Sequence, residues 1–146
     1  MGLTTYPASG GAVWGDIIGT VADQTDLTTA FGTQGIKRYL ALLTQSGSSS
    51  PTATVLENTL GGTPVWARTS AGIYTLTLSG AFTTSKTQIF VGTEFSAGAD
   101  FVVVSAVHTS ANVVTFFLKD VEMAGPTATA SDNNLFNTPI RIYVYP

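Results

Sequence analysis

Two short runs set the terms on which this chain can fold. In Ile73-Tyr74-Thr75-Leu76-Thr77-Leu78, the residues Tyr74, Leu76 and Leu78 fall on one side, and Thr75, Thr77 and Ser79 on the other. In Ile140-Arg141-Ile142-Tyr143-Val144-Tyr145, Ile140, Ile142 and Val144 point one way, and Arg141, Tyr143 and Tyr145 the other. A period of two is the geometry of a strand with one face buried and one face wet. The fold must therefore supply antiparallel sheet with a shared apolar side.

The rest of the chain from Ile36 onward follows the same rule. Ile36–Gln45 reads as the first strand, with a helical alternative because Tyr39, Leu40 and Leu43 also fall at helical spacing. The break at Ser46-Gly47-Ser48-Ser49-Ser50-Pro51 and the β-like sequence downstream favour the strand. Thr52–Leu60 follows, with Glu57-Asn58 expected to bond to a turn at Gly61-Gly62. Pro64 places the next strand at an edge or after a bulge. Val65–Arg68 and Ile73–Leu78 form a hairpin across Thr69-Ser70-Ala71-Gly72, in which Gly72 supplies a positive φ. Thr87–Val91 comes next. Phe101–His108 and Val113–Lys119 form a second hairpin, both arms so rich in β-branched and aromatic residues that both are expected to sit centrally. Met123–Phe136 reads as a long loop, and Pro139 opens the final strand. The expectation is an all-β domain over residues 36–146, an antiparallel β-sandwich or jelly-roll-like fold of about eight strands.

The first 35 residues are different and read as a separate arm. Residues 1–13 are Gly, Ser, Thr, Ala and Pro with little periodicity, an extended arm suited to a neighbour's groove or a frayed terminus. Then Trp14, Ile17, Ile18, Val21, Leu27 and Phe31 crowd apolar area into a short stretch that ends in a short helix, capped by Asp23 or Thr25 and stopped at Gly32. One or two helical turns are marginal in water without partners. Those partners are copies of the same chain or another protein, which makes these six residues the candidate attachment and trimer interface; the alternative is packing onto the chain's own β-domain. A glycine-flanked hinge, Gly32-Thr33-Gln34-Gly35, closes the arm.

The segment from Trp14 to Leu27 fits the pattern W-G-D-I-x-G-T-x-x-D-Q-T-D-L and resembles a motif of fibre and appendage proteins of tailed bacteriophages, where a trimeric shaft or anchor meets a following domain. The β-domain carries a second resemblance. Arg38–Gly47, Pro51–Gly62 and Val65-Trp66 are similar to a small domain of head-fibre or appendage proteins in phages and prophages of Bacteroidetes-type hosts, including the crAss-like group. Together the two resemblances cover about half of the chain. They imply a virion role without implying an activity.

Composition bears on partners. Charged residues make up only 10% of the chain and hydrophobic residues 44%, against a usual charged share of about a quarter. A surface of hydroxyls and small side chains is common in extracellular β-proteins and virion parts. The net charge is −3, and the six Lys and Arg are scattered, whereas a nucleic-acid binder needs a basic stripe. A protein or carbohydrate partner fits better than nucleic acid or membrane. No cysteine is present, so thiolate metal sites and disulfides are excluded. The start of the sequence has no signal-peptide pattern, and Tyr6 stands where a myristoylation site wants Ser or Thr. No apolar run approaches the ~20 residues of a membrane span. A protein with no export signal that looks extracellular is what a phage makes, assembled in the host cytoplasm and released by lysis.

Chemistry-bearing patterns are sparse. The single histidine, His108, lies at a strand end and reads as a satisfied structural residue; no G-x-S-x-G elbow accompanies it. Asp16, Asp23 and Asp26 lack calcium-loop spacing and suit capping and turn bonding. Glu57, Glu94, Asp100, Asp120 and Glu122 are not grouped as a glycosidase pair would be. No catalytic, cofactor or metal residue is assigned, and the chain is not expected to be an enzyme. Trp66, Tyr74, Tyr143 and Tyr145 are the residues on which a sugar or protein could stack, with core or interface packing as the competing role. The expected function is a virion structural protein, a homotrimeric head fibre or capsid decoration protein on the outer surface of the particle. The alternative is a receptor- or carbohydrate-binding module of a tail fibre, meeting a host-surface glycan.

Overall fold

The computed structural model of the protein describes residues 35–92, 101–121, 125 and 127–146, with the side chain of Phe101 left aside. The arm, the short helix and the interface candidates Trp14, Ile17, Ile18, Val21, Leu27 and Phe31 lie outside the described residues, as do Asp16, Asp23, Asp26, Glu94, Asp100 and Glu122.

The described residues are all-β, with no helix. Their strands are β1 (Lys37–Thr44), β2 (Thr52–Asn58), β3 (Val65–Ser70), β4 (Ile73–Thr77), β5 (Thr87–Val91), β6 (Phe101–Ser110), β7 (Val113–Val121), β8 (Ala128–Ala130) and β9 (Thr138–Val144). A four-stranded sheet runs β2-β1-β9-β5. A five-stranded sheet runs β3-β4-β7-β6, with β8 also on β7. Every pairing is antiparallel. The two sheets enclose one core, a β-sandwich.

The alternation read from sequence is the alternation of burial. On β9, Ile140, Ile142 and Val144 are buried; on β4, Tyr74 and Leu76 are. Tyr39, Ala41 and Leu43 are buried on β1, so every second residue faces inward and the Ile36–Gln45 run forms a strand over Lys37–Thr44 rather than a helix, held on both sides by β2 and β9. Val114, Phe116 and Leu118 of β7 face them from the other sheet, with Leu60, Phe82 and Leu135 contributed by connections. Full burial of each large apolar side chain stabilises by about 1.5–3 kcal/mol, enough in sum to oppose the ordering of the chain. Trp66, at the edge of the five-stranded sheet, leans inward against Phe116 with ring centroids 4.9 Å apart. Its indole N–H donates to the Tyr39 hydroxyl across the sandwich at 3.2 Å.

Three expectations need correction. Among the described residues the strands number nine, because β8 forms inside the stretch read as a loop. Its Ala-Thr-Ala sequence carries no burial pattern, and what makes it a strand is backbone pairing with Lys119–Val121. It continues the line of β4 along β7. The Leu118 N–H donates to the Gly72 carbonyl at 2.8 Å, and the Leu118 carbonyl accepts from Ser131 N–H at 3.3 Å. Gly72 sits at this junction with φ +64°, and a Cβ there would strike the Leu118 carbonyl oxygen and lie 2.7 Å from the Ser131 nitrogen. Second, only one arm of the Phe101–Lys119 hairpin is central: β7 has neighbours on both sides, but β6 is an edge strand. Its outward Val103 and Val107 are about half exposed. Valine suits a pleated strand at an edge as well as at a centre, so composition did not separate the two. Third, Tyr74, taken as a stacking candidate, is fully buried. The expectation for Pro64 holds, since β3 is an edge strand.

Candidate functional site

The outer face of the four-stranded sheet brings together Arg38, Phe90, Arg141, Tyr143 and Tyr145. Cross-strand register builds it in rows. Arg38, Tyr143 and Gln88 lie abreast on β1, β9 and β5. Leu40, Arg141 and Phe90 form the next row, and Leu42 and Pro139 the third, where Gly92 N–H donates to the Pro139 carbonyl at 2.8 Å. Because side chains alternate along a strand, burying Ile140, Ile142 and Val144 places Pro139, Arg141 and Tyr143 on this face.

A groove of about 360 Å³ opens here, lined by Phe90, Val91, Gly92, Pro139, Arg141 and Tyr143. Phe90 and Tyr143 meet edge-to-face, centroids 5.9 Å apart at 81°, an arrangement favoured by the ring quadrupoles. Gly92 is what lets the proline ring form one wall: a Cβ at this position would run into Pro139. Phe90 is 48% exposed. Arg141 is exposed and makes no hydrogen bond or ion pair among the described residues. Its neighbour Arg38 lies 3.8 Å from Glu57, an exposed pair of little energetic weight. Tyr145, at the end of the same strand, donates from its hydroxyl to Gln88 Oε1 at 3.1 Å and remains 42% exposed.

Of the four stacking candidates, Tyr143 and Tyr145 therefore lie on or beside this groove. Trp66 is half-buried against the core with its N–H in use, and the Tyr74 ring has no free face. Sequence reading named neither Phe90 nor Arg141 as a site residue. The alternation of Ile140–Tyr145 already put Arg141 beside Tyr143; that β5 would join β9 was not visible.

A second polar cluster ties the sandwich together. Asp132 accepts from Arg68 Nη2 at 2.7 Å, from Arg68 Nε at 3.1 Å, from the Gly72 N–H at 3.1 Å and from the Tyr74 hydroxyl at 2.6 Å. The Tyr74 hydroxyl also faces Gln45 Oε1 at 2.7 Å, which in turn accepts from the Asn133 N–H at 2.9 Å. The hydrogen bond from the Arg68 guanidinium, foremost, holds the Asp132 carboxyl well below the usual carboxylate range. Burial, and then the bond to Asp132, pushes the Tyr74 hydroxyl above the usual phenol range. Asn133 and Asn137 adopt positive φ of 61° and 51°, tolerable for asparagine, and so turn the chain to reach β1. Asn133 Oδ1 accepts from the Gly47 N–H at 2.9 Å, and the Leu135 carbonyl accepts from the Gln45 N–H at 3.0 Å. Residues 131–137 are thus a clasp, joined through Asp132 to the five-stranded sheet and through Asn133 and Leu135 to the end of β1.

The remaining candidates for chemistry are occupied or isolated. His108 is half-buried, its Nε2 2.9 Å from the Phe82 carbonyl; the carbonyl can only accept, so Nε2 carries the proton. Asn58 bonds to the Gly62 carbonyl at 2.8 Å, as the sequence suggested, while Glu57 turns to Arg38. Among the described residues no three His, Cys, Asp or Glu side chains gather closely enough to hold a metal ion. Comparison of the chain with family models, curated proteins and solved structures gave no match.

Proposed function

We propose that this chain is a structural protein of a tailed-phage virion, a homotrimeric head fibre or capsid decoration protein. In this reading residues 1–35, an extended arm with a short helix, fasten it to the particle, and the jelly-roll-like β-sandwich is displayed outward. The observation that carries it is the Trp14–Leu27 motif standing directly before a compact β-domain. The domain's own chemistry agrees with a role in assembly rather than turnover: Arg68, Asp132, Tyr74 and Gln45 are spent on the clasp, and His108 on a backbone carbonyl. Three arms docking together gain through effective concentration, so each contact can be weak.

The experiment is a mass measurement by light scattering on the full chain and on the Trp14→Ala, Ile17→Ala variant. The expected result is three times the 15.2 kDa chain for the parent and a smaller species for the variant. A monomeric parent at micromolar concentration refutes the trimer.

A second reading, a receptor- or carbohydrate-binding module, is favoured by one specific observation, the groove at Phe90, Arg141 and Tyr143. The two readings are compatible in one molecule, since a displayed domain is well placed to touch a host-surface glycan.

A further inference from the structure

Resting on that second reading, we propose that the groove on the outer face of the four-stranded sheet binds a carboxylated saccharide, with Arg141 on the carboxylate and Phe90 and Tyr143 against the sugar ring.

Three features select this ligand. The first is charge. Arg141 stands in the middle of the face, between Leu40 and Phe90, and has no acidic partner among the described residues. Its planar fork of donors matches a carboxylate in two parallel hydrogen bonds. Among the described residues the acid on this face is Glu57, which already faces Arg38 at 3.8 Å, so the described side chains of the face leave Arg141 as an unbalanced positive charge although the chain as a whole carries −3.

The second is the pair of rings. A pyranose has a face of C–H groups, whose positive hydrogens sit well on the negative face of an aromatic ring. The edge-to-face arrangement of Phe90 and Tyr143 turns two ring surfaces at 81° to each other, a corner rather than a flat plate, and the Tyr143 hydroxyl adds a polar handle for sugar hydroxyls.

The third is size. A groove of about 360 Å³ lies at the small end of the ~300–1,000 Å³ range of small-molecule sites. It suits one or two sugar rings and is too small for a folded partner. A neutral sugar would cover Arg141 and strip its water without returning an anion, an unfavourable exchange. A nucleic-acid strand also brings anions and rings, but its affinity depends on many cations in a row, and among the described residues this face has two, Arg38 and Arg141.

The experiment is calorimetric titration of the full chain with trigalacturonate and with sialyllactose, and with galactotriose as the neutral counterpart. In parallel, amide shifts are followed by NMR on the unmodified protein. Expected are a weak single-site affinity for the two acidic probes that falls as salt rises, and amide shifts concentrated at Phe90, Arg141 and Tyr143. Thr75 and Thr115, on the outer face of the other sheet, should not move. Arg141→Gln should weaken binding of the acidic probes at least about tenfold with an unchanged melting temperature, and Phe90→Ala should weaken it also, with a melting temperature lowered by a few degrees at most for the lost ring contact. The proposal is overturned if neither acidic probe binds, if galactotriose binds equally well, or if the shifts map elsewhere. None of these outcomes touches the trimer, which the mass measurement decides separately.

Discussion

Replacing Asp132 by asparagine tests whether the clasp holds the sandwich together. The substitution keeps size and shape but removes the charge and turns one acceptor oxygen into an NH₂ donor. In the native protein Asp132 receives the Arg68 guanidinium, the Gly72 N–H and the Tyr74 hydroxyl. A hydrogen bond to a charged group contributes about 1.5–3 kcal/mol, and breaking a fully buried ion pair costs about 3–5 kcal/mol. Here the side chains of Arg68 and Asp132 retain 28% and 18% of their exposure, so water relieves part of the loss. The expected cost of Asp132→Asn is about 2–4 kcal/mol, which for a domain of this size lowers Tm by roughly 8–16 °C.

The same change alters the acid response. The folded-state pKa of Asp132 is depressed below its unfolded value. The folded protein therefore binds this proton less readily than the unfolded chain. The stabilisation is complete well above the ordinary aspartate value of about 3.9 and is lost as pH falls below it, through the folded pKa. Urea denaturation from pH 7 down to pH 2.5 should show stability falling steeply below about pH 4 in the parent. The Asp132→Asn curve should start lower and fall less. A variant within about 0.5 kcal/mol of the parent at pH 7, or one with an equally steep acid limb, refutes the reasoning.

Two further substitutions are expected to move stability in opposite directions. Thr138 is 1% exposed, and its hydroxyl has no hydrogen-bond partner; Thr138→Val removes that group at nearly constant shape and should raise stability by up to about 1 kcal/mol in urea denaturation. Gly72→Ala forces a side chain into left-handed backbone and against the Leu118 carbonyl; it should cost more than about 2 kcal/mol and weaken protection of the Ser131 amide in hydrogen exchange.

The strands were legible because burial here follows a strict period of two, and Ile73–Leu78 and Ile140–Tyr145 state it plainly. The clasp was not. Its anchor is a single acid, Asp132, in a stretch of Ala, Thr, Asn and Ser with one large buried apolar residue, Leu135. Its partners Arg68, Tyr74 and Gln45 stand 58 to 88 positions away along the chain, so no local pattern announces them. Tyr74 misled for the same reason: on β4 it alternates correctly as a core residue, and only the position of Asp132 explains why a hydroxyl is tolerated there. The groove was half legible. Alternation placed Arg141 with Tyr143, but the partner ring Phe90 depends on β9 entering between β1 and β5, a pairing across more than fifty residues.

How the sandwich treats its edges bears on what must hold any assembly together. Unpaired strand edges invite association, and neighbours in a trimer are one way to cover them. Among the described residues β8, paired only with β7, is an edge of just three residues, and three of the four strands that end the two sheets carry one residue that opposes nothing on the partner strand. These are Leu56 on β2, between the pairs Leu40–Glu57 and Ala41–Val55, Thr69 on β3 and Thr109 on β6. Such bulges twist an edge away from flat pairing. The fourth edge strand, β5, has only five residues and lies against β6. The domain thus blunts its own edges and does not call for a neighbour to cover them. If the chain is a trimer, then in the proposed reading the association free energy comes chiefly from Trp14, Ile17, Ile18, Val21, Leu27 and Phe31. That separates two observables. In the Trp14→Ala, Ile17→Ala variant the mass should fall while the urea midpoint of the β-domain stays with the parent's. A parallel loss of both would mean that the sandwich itself supplies the interface, and the division of labour between arm and domain would be wrong.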